Sequence, residues 1–329
     1  MESFAGKNVL ITGATGLIGS NLAENLLKCK DVQITILARN ENKVKSIFRN
    51  YLNRANFNYL IQDIKEPINS ISKFDFIFHC AGSISPDTFN NYPVEVLNSN
   101  IKGIINCLEY IKRQGFGRIV LLSSATVYGN RKKNCITVNE KDTEYIDKTD
   151  SSSYIYSESK RMAEIIARAY YKQYLTDVII ARFSYVYGYA RKCPNTAIFN
   201  FIKKALNGED IILNNTVFER RDNIYITDAV SLICLAALNG ISGEVYNISS
   251  NNYGNNYASI DEIAVHIVNA ANKIKKTNAR VIKKENTNNI DGIIMDNSKI
   301  LLLSDRKVFM ITSLKDGIFK TVQMFDGVI

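Results

Sequence analysis

Tyr156 and Lys160 stand four residues apart in Tyr156-Ser157-Glu158-Ser159-Lys160. On a helix, that spacing turns a phenol and an ammonium to the same side. A free phenol titrates near ~10, too high for a base at neutral pH. A neighbouring ammonium favours the phenolate and is expected to lower that value. Tyr156 could then take a proton from a hydroxyl or return one to a carbonyl. The spacing alone is weak: with 18 Tyr and 41 Lys plus Arg in 329 residues, about two such pairs arise by chance. The context lies upstream, in Leu121-Leu122-Ser123-Ser124-Ala125-Thr126-Val127-Tyr128-Gly129. There an apolar strand ends in two hydroxyls, at the strand end where doubly wound sheets place their sites. Ser124 is positioned to hydrogen-bond a reacting oxygen beside Tyr156. Taken alone, Ser123 and Ser124 read as strand-end hydroxyls satisfied by backbone.

A second constellation opens the chain: Thr12-Gly13-Ala14-Thr15-Gly16-Leu17-Ile18-Gly19. Glycine recurs at every third position between an apolar strand and a helical stretch. Such a turn lets backbone approach a pyrophosphate, and the helix N-terminus offers N–H groups and the positive dipole end. Gly13, Thr15, Gly16, Leu17, Ile18 and Gly19 are therefore candidate dinucleotide contacts. The spacing departs from the usual G-x-G-x-x-G, and a ligand-free βα turn is the competing reading. The second strand ends in Leu37-Ala38-Arg39-Asn40, with no acid to bond ribose hydroxyls. Arg39 can instead pair with a 2′-phosphate, which favours NADP over NAD.

These residues need elements to hold them. Strands are expected at residues 9–11, 32–38, 58–61, 74–79, 118–123 and 178–183, with helices at 16–27, 41–52, 93–113 and 154–174. Alternation of apolar strands with helices predicts an α/β fold, a doubly wound parallel (Rossmann) sheet covered on both faces. Beyond about residue 187 the pattern loosens into a smaller, mixed C-terminal region. A helix is expected there at 199–206, a strand at 210–213, a strand–helix unit at 223–226 and 229–238, and a helix at 261–274 after an Asn-rich loop at 249–257. The expected division is 1–186 plus about 222–248 for dinucleotide binding, and about 187–221 plus 249–329 for substrate.

Composition narrows the alternatives. A 46% hydrophobic content is ample for a core and argues against disorder. No apolar run reaches the roughly 18 residues of a membrane span, and the opening segment reads as a strand entering a glycine turn, not as a signal peptide. Six scattered cysteines (Cys29, Cys80, Cys107, Cys135, Cys193 and Cys234) share no C-x-x-C spacing, and the only histidines are His79 and His266. No metal site is expected, and the cysteines fit a reducing cytoplasm. The net charge of +9 comes from dispersed groups: Arg131-Lys132-Lys133, Lys203-Lys204, Arg220-Arg221, Lys275-Lys276 and Lys283-Lys284. Without a basic stripe interleaved with aromatics, neither nucleic acid nor membrane is an expected partner.

Taken together, these residues resemble the extended short-chain dehydrogenase/reductase family, in its nucleotide-sugar epimerase/dehydratase branch. Matching features follow in order: Thr12-Gly13-x-x-Gly16-x-x-Gly19; Asp63; His79-Cys80-Ala81-Gly82; Asn100 in Asn-Ile-Lys-Gly; Ser124 with Tyr156 and Lys160. Arg221-Asp222-Asn223-Ile224-Tyr225-Ile226-Thr227-Asp228 resembles a later Arg-Asp-x-x-x-x-x-Asp segment. The resemblance implies that the glycines bind pyrophosphate, Asp63 with Ile64 meets the adenine, and Ala81, Gly82 and Asn100 line the cofactor cleft. It makes Ser124, Tyr156 and Lys160 catalytic, with Tyr156 and Lys160 also on the nicotinamide ribose. It places Ser124, Thr126, Tyr185 and Arg221 on the substrate, Arg221 at its diphosphate. Without it, Arg220 and Arg221 are a surface pair, Asp63 a turn residue and His79 a satisfied strand-end histidine outside the catalytic set.

Departures from the pattern sharpen the expectation. Ala125-Thr126 resembles UDP-galactose 4-epimerases, where 4,6-dehydratases carry Asp-Glu and UDP-glucuronate decarboxylases carry Glu at the second position. Dehydration and decarboxylation are therefore disfavoured. Tyr185 replaces a substrate-facing Asn, Tyr189 a Pro, and Ile155 the Pro before the acid/base Tyr. The expected reaction is oxidoreduction at C4 of a nucleotide-linked sugar by a 4-epimerase. The alternatives are an NADPH-dependent reductase of nucleotide 4-keto-6-deoxy sugars and a non-catalytic NAD(P)-binding protein. A binding-only protein has no chemical need for Ser124, Tyr156 and Lys160 together. The resemblance also implies a homodimer through the helices at 93–113 and 154–174, with Ile104, Leu108 and Ile111, or Ile165 and Ala169, as its apolar stripe.

Overall fold

A computed structural model describes residues 4–82, 86–129, 137–142, 152–191, 196–284, 287–304 and 309–327. Cys135, Cys193 and the triplet Arg131-Lys132-Lys133 lie outside the described residues.

The first half alternates as the apolar pattern requires. In chain order come β1 (Asn8–Thr12), α1 (Leu17–Leu26), β2 (Gln33–Ala38), α2 (Glu41–Ile47), β3 (Phe57–Ile61), β4 (Phe76–His79), α3 (Pro86–Asn91), α4 (Pro93–Gln114), β5 (Arg118–Ser124), the short β6 (Thr137–Val138), α5 (Ser152–Tyr174) and β7 (Asp177–Phe183). The second half adds β8 (Tyr185–Tyr187), α6 (Ala197–Leu206), β9 (Ile211–Leu213), β10 (Val217–Tyr225), α7 (Ile226–Asn239), β11 (Val245–Ile248), β12 (Tyr257–Ala258), α8 (Ile260–Lys275), β13 (Val281–Lys283), β14 (Asn288–Asp291), β15 (Ile294–Met295), α9 (Ser298–Leu301) and α10 (Leu314–Asp326).

Seven strands form one parallel sheet in the order β11-β7-β5-β4-β1-β2-β3. The order reverses between β1 and β4, and that switch point opens a crevice at the carboxyl ends of the strands. One face is filled by a core that includes Val9, Ile11, Leu22, Val120 and Ile233; the other packs Leu10, Ile77, Ile119 and Ile180 against α4 and α5. Both faces are therefore apolar, which is why these strands read as continuous hydrophobic runs. In the C-terminal half, β12-β10-β14 make a separate sheet, with β8 pairing in parallel to β10.

The structure amends several expectations. α2 stops at Ile47 instead of running to residue 52, because Phe48 leaves helical geometry at φ −102°, ψ 22° and turns into the core. β10 begins at Val217, six residues before the expected 223, because β14 supplies a parallel partner for Val217–Arg220. α10 and the sheet-edge strand β11 were not expected at all. Ile104, Leu108 and Ile111 cannot form a dimer stripe: all three are buried in the chain's own core beside Ala163 and Ala167. No helix among the described residues is long and apolar enough to cross a membrane.

Candidate active site

The glycine turn follows directly from the contact between β1 and β4. The Thr12 hydroxyl meets His79 Nδ1 at 2.9 Å and accepts from the Ala81 amide at 3.3 Å, drawing the two strand ends together. Gly13 sits at φ +66°, and a Cβ there would stand 2.6 Å from the Ala81 amide nitrogen. At Gly19 a Cβ would stand 2.6 Å from the Gly13 carbonyl oxygen, so α1 can press against the turn only with glycine there. Gly16 is different: its nearest neighbour would be the Gly13 oxygen at 3.4 Å, ordinary contact. Its space opens outward, over the N-terminus of α1. That helix has no side-chain cap and no acid in its first turn, so the N–H groups of its first turn meet no side-chain acceptor.

The chemistry-bearing side chains converge at the ends of β4 and β5. Ser124 ends β5 and accepts from the amide and hydroxyl of Thr126 at 3.2 and 3.1 Å. Ser124 and Tyr156 share a hydrogen bond. Lys160, one turn along α5, donates to the Leu122 carbonyl at 2.8 Å, and its ammonium lies 5.9 Å from the Tyr156 ring centre. Asn100 on α4 donates to Ser159 Oγ at 2.7 Å, and Ser159 donates to the Tyr156 carbonyl at 2.8 Å. Asn100, Gly82 and Lys160 meet at one spot: a Cβ on Gly82 would lie 2.9 Å from Asn100 Oδ1 and 3.3 Å from Lys160 Nζ.

Burial dominates the electrostatics. Tyr156 is pushed up to about 12 by burial, opposed by its bond to Ser124 and reinforced by the neighbouring Tyr185. The expectation that Lys160 lowers it is thereby corrected: burial outweighs the ammonium, which the Leu122 carbonyl holds 5.9 Å from the ring centre. Lys160 is itself pulled down to about 8 by burial, against the opposing pull of Cys80 and Glu164. His79 falls to about 3, also through burial, and is a neutral ring packed against Gly103, where a Cβ would stand 2.9 Å from its Cε1.

Further from the phenol, Arg221 on β10 stacks over the Tyr185 ring, with 4.4 Å from guanidinium carbon to ring centre. Arg221 also donates from Nε to Glu219 at 2.9 Å. Asp63 accepts from the Lys65 amide at 3.0 Å in a turn beyond β3. Ile64 is not placed as a side-chain contact of the crevice: it turns into the core, and its carbonyl is taken by Asn106 at 2.7 Å. Arg39 is exposed at the end of β2, beside the Asn40 that caps α2.

Residues 9–249 match the sequence profile of the NAD dependent epimerase/dehydratase family. The chain belongs to that family. A UDP-glucuronic acid decarboxylase 1 from Xenopus tropicalis is 29% identical over 243 residues, covering 73% of this chain and 55% of that protein, so the match spans little more than half of the relative. The crystal structure of a dTDP-glucose 4,6-dehydratase from Bacillus anthracis, in complex with NAD, superposes with a TM-score of 0.76 at 25% identity, covering 98% of this chain and 97% of that one. A UDP-glucose 4-epimerase from Thermotoga maritima, with UDP-glucose, gives 0.76 at 21% identity, covering 98% and 99%, and speaks to the fold.

An NAD-dependent family member must cradle a dinucleotide, and the residues present fit one. The Gly13 turn leaves no room for a side chain, the N-terminus of α1 is uncapped, and Asn100 Oδ1 is buried without a partner beside Gly82 and Lys160. Among the described residues no cluster of three metal-ligating side chains occurs. Several supporting residues were missed from sequence. Thr12 ties β1 to β4. Glu164, one turn beyond Lys160, accepts from Ser123 at 2.5 Å and from Arg182 at 2.9 and 2.7 Å, so a buried ion pair anchors α5 to β5 and β7. Helical spacing from Lys160 is a signal that could have found Glu164; nothing local points at its partner.

Proposed function

We propose that this family member carries out NAD(P)-dependent oxidoreduction at C4 of a nucleotide-linked hexose, as a 4-epimerase. The carrying observation is the Ser124–Tyr156 hydrogen bond at the end of β5, followed by Ala125 and Thr126, where no carboxylate stands to drive dehydration or decarboxylation. Tyr156 exchanges the proton with the C4 oxygen, taking it from the hydroxyl as phenolate and returning it as phenol; a bound cationic nicotinamide would favour the phenolate that burial alone disfavours. Ser124 and Thr126 hold the C4 oxygen. Lys160, fixed on Leu122, presents its remaining protons toward Asn100 and the ribose side of the crevice. Gly13, Gly16, Gly19 and the first turn of α1 would hold the dinucleotide's pyrophosphate, Asp63 its adenosine end, and Ala81, Gly82 and Asn100 the wall of the cleft. When bound, the nicotinamide supplies the hydride acceptor and donor.

A second reading has its own observation. Exposed Arg39 stands where an acid would favour NAD, which supports an NADPH-dependent reductase of 4-keto-6-deoxy sugars. Incubation with UDP-glucose, UDP-N-acetylglucosamine and a nucleotide 4-keto-6-deoxy sugar, with absorbance at the nicotinamide band followed, separates the two. An epimerase interconverts sugars with no net cofactor change. Net consumption of NADPH overturns it in favour of the reductase. Tyr156→Phe is expected to lose about 10²–10⁴-fold in turnover while still binding NAD; unchanged turnover overturns both readings.

We further propose a homodimer through the outer surfaces of α4 and α5. Val94, Leu97, Met162 and Ile165 expose 64, 36, 45 and 55% of their surface there; Ile165 belongs to the second of the two expected stripes, while the first, Ile104, Leu108 and Ile111, is buried. Sedimentation of the intact chain tests this assembly.

A further inference from the structure

We propose that Tyr185 is a positioning residue of the substrate site, a platform that sets the Arg221 fork toward the diphosphate of the sugar nucleotide. The proposal rests on the nucleotide-sugar reading above and deepens it. The local geometry follows from strand register. β8 runs parallel to β10 with Tyr185 opposite Asn223, and Arg221 lies two residues before Asn223, on the same face of β10. The two side chains are therefore diagonal neighbours, close enough for a ring and a long side chain to meet. They do meet: the Arg221 guanidinium carbon lies 4.4 Å from the Tyr185 ring centre.

A cation–π contact of this kind leaves the guanidinium edges able to donate. Glu219 takes Nε at 2.9 Å and so pins the fork from one side. The Nη pair remains as the edge that fits two phosphate oxygens at once. An arginine held in this way loses little rotamer freedom when it binds, which is the gain expected from preorganisation. Tyr185 also adds a small part to the raising of the Tyr156 pKa. Tyr185 and the Arg221 side chain are each partly open to the crevice, at 41 and 45%. The Asn expected at this position by resemblance offers no π face, so this device belongs to this chain.

Calorimetric titration with uridine diphosphate, thymidine diphosphate and NAD tests the platform in the full-length wild type, Tyr185→Phe, Tyr185→Leu, Arg221→Ala and the Tyr185→Leu/Arg221→Ala double variant. The ring, not the hydroxyl, is the platform, so Tyr185→Phe is expected to bind the nucleoside diphosphates within about twofold of wild type. Tyr185→Leu is expected to weaken them by about three- to thirtyfold, the range a partly desolvated cation–π contact spans. The double variant is expected to bind no worse than Arg221→Ala alone, because the platform acts only through that arginine. NAD affinity is expected to match wild type throughout, which also reports a folded crevice. Equal diphosphate affinity in Tyr185→Leu and wild type overturns the platform, and so do fully additive losses or a Phe variant as weak as Leu. A wild type that binds NAD and neither diphosphate overturns the nucleotide-sugar reading itself, and the platform with it.

Discussion

Lys160 donates its ammonium to the Leu122 carbonyl at 2.8 Å, while the Tyr156 ring centre lies 5.9 Å away. The cation therefore anchors α5 to the end of β5, and burial pulls it down to about 8 from its ordinary 10.5. Between those values the unfolded chain holds a proton that the folded chain has released, so stability rises with pH across that window. Lys160→Met removes the titration. Relative to that variant, the parent is expected to gain up to about 1.4 kcal/mol per pH unit between pH 8 and 10. Urea unfolding at a series of pH values reads this directly, and parallel curves for the two proteins would show that Lys160 keeps an ordinary pKa.

Two glycines of the same turn are expected to fail in different ways. A methyl on Gly13 meets the Ala81 amide at 2.6 Å and sits on a backbone at φ +66°, so Gly13→Ala must shift the contact between β1 and β4. The left-handed conformation alone costs a β-carbon about 1–2 kcal/mol, before the clash is counted. Gly16→Ala meets only the Gly13 oxygen at 3.4 Å. It is expected to keep wild-type stability within about 1 kcal/mol yet weaken NAD at least about tenfold, because its methyl projects where the pyrophosphate approaches the helix. Thermal melts paired with NAD titration distinguish them. A Gly16→Ala protein that binds NAD normally would remove the pyrophosphate from that turn.

What was legible in the sequence was local. The glycine triplet, the Tyr156–Lys160 step and the strand ending in Ser124 each carry their meaning within a few residues, and the parallel sheet follows from apolar runs spaced by helical ones. What was not legible depends on distant partners. β10 is long because β14 lies beside its first residues. The role of Ile104 and Leu108 was set by Ala163 and Ala167 across the core, which no pattern within α4 displays. The expected lowering of Tyr156 failed for a related reason: spacing predicts that two groups share a helix face, but not how deeply the surrounding fold buries the phenol or that the Leu122 carbonyl will hold the ammonium away from it.

His79 is expected to act on stability and not on catalysis. Burial holds it neutral down to about pH 3, against 6.5 for a free imidazole. As pH falls through that interval the unfolded chain takes up a proton that the folded chain refuses, so stability is present in full above 6.5 and is lost toward 3. His79→Asn keeps a polar partner near Thr12 and abolishes the titration. Acid unfolding followed by circular dichroism is expected to show a shallower loss in the variant, by up to about 1.4 kcal/mol per pH unit. Identical slopes would mean that the ring charges within the fold.

Glu164 and Arg182 form an ion pair with side chains only 5 and 2% exposed, and it serves two elements at once. Glu164 rides on α5 one turn from Lys160 and accepts from Ser123, the neighbour of Ser124; Arg182 comes from β7 and also donates to the Glu140 carbonyl at 3.1 Å. Removing one partner leaves a charge buried with nothing to meet it, which costs about 3–5 kcal/mol, whereas replacing both by apolar side chains of similar size is close to neutral. Glu164→Gln is therefore expected to lower the urea midpoint sharply, and Glu164→Leu with Arg182→Met to recover most of the loss. The recovered protein is informative in a second way. It lacks one tether between α5 and β5, so its turnover is expected to stay below wild type even where its stability returns, because Tyr156 and Ser124 are then placed by the Lys160 and Arg161 bonds to Leu122 and Val127 without the Glu164–Ser123 contact. Full recovery of both would show that the pair serves stability and contributes nothing to the placement of the phenol.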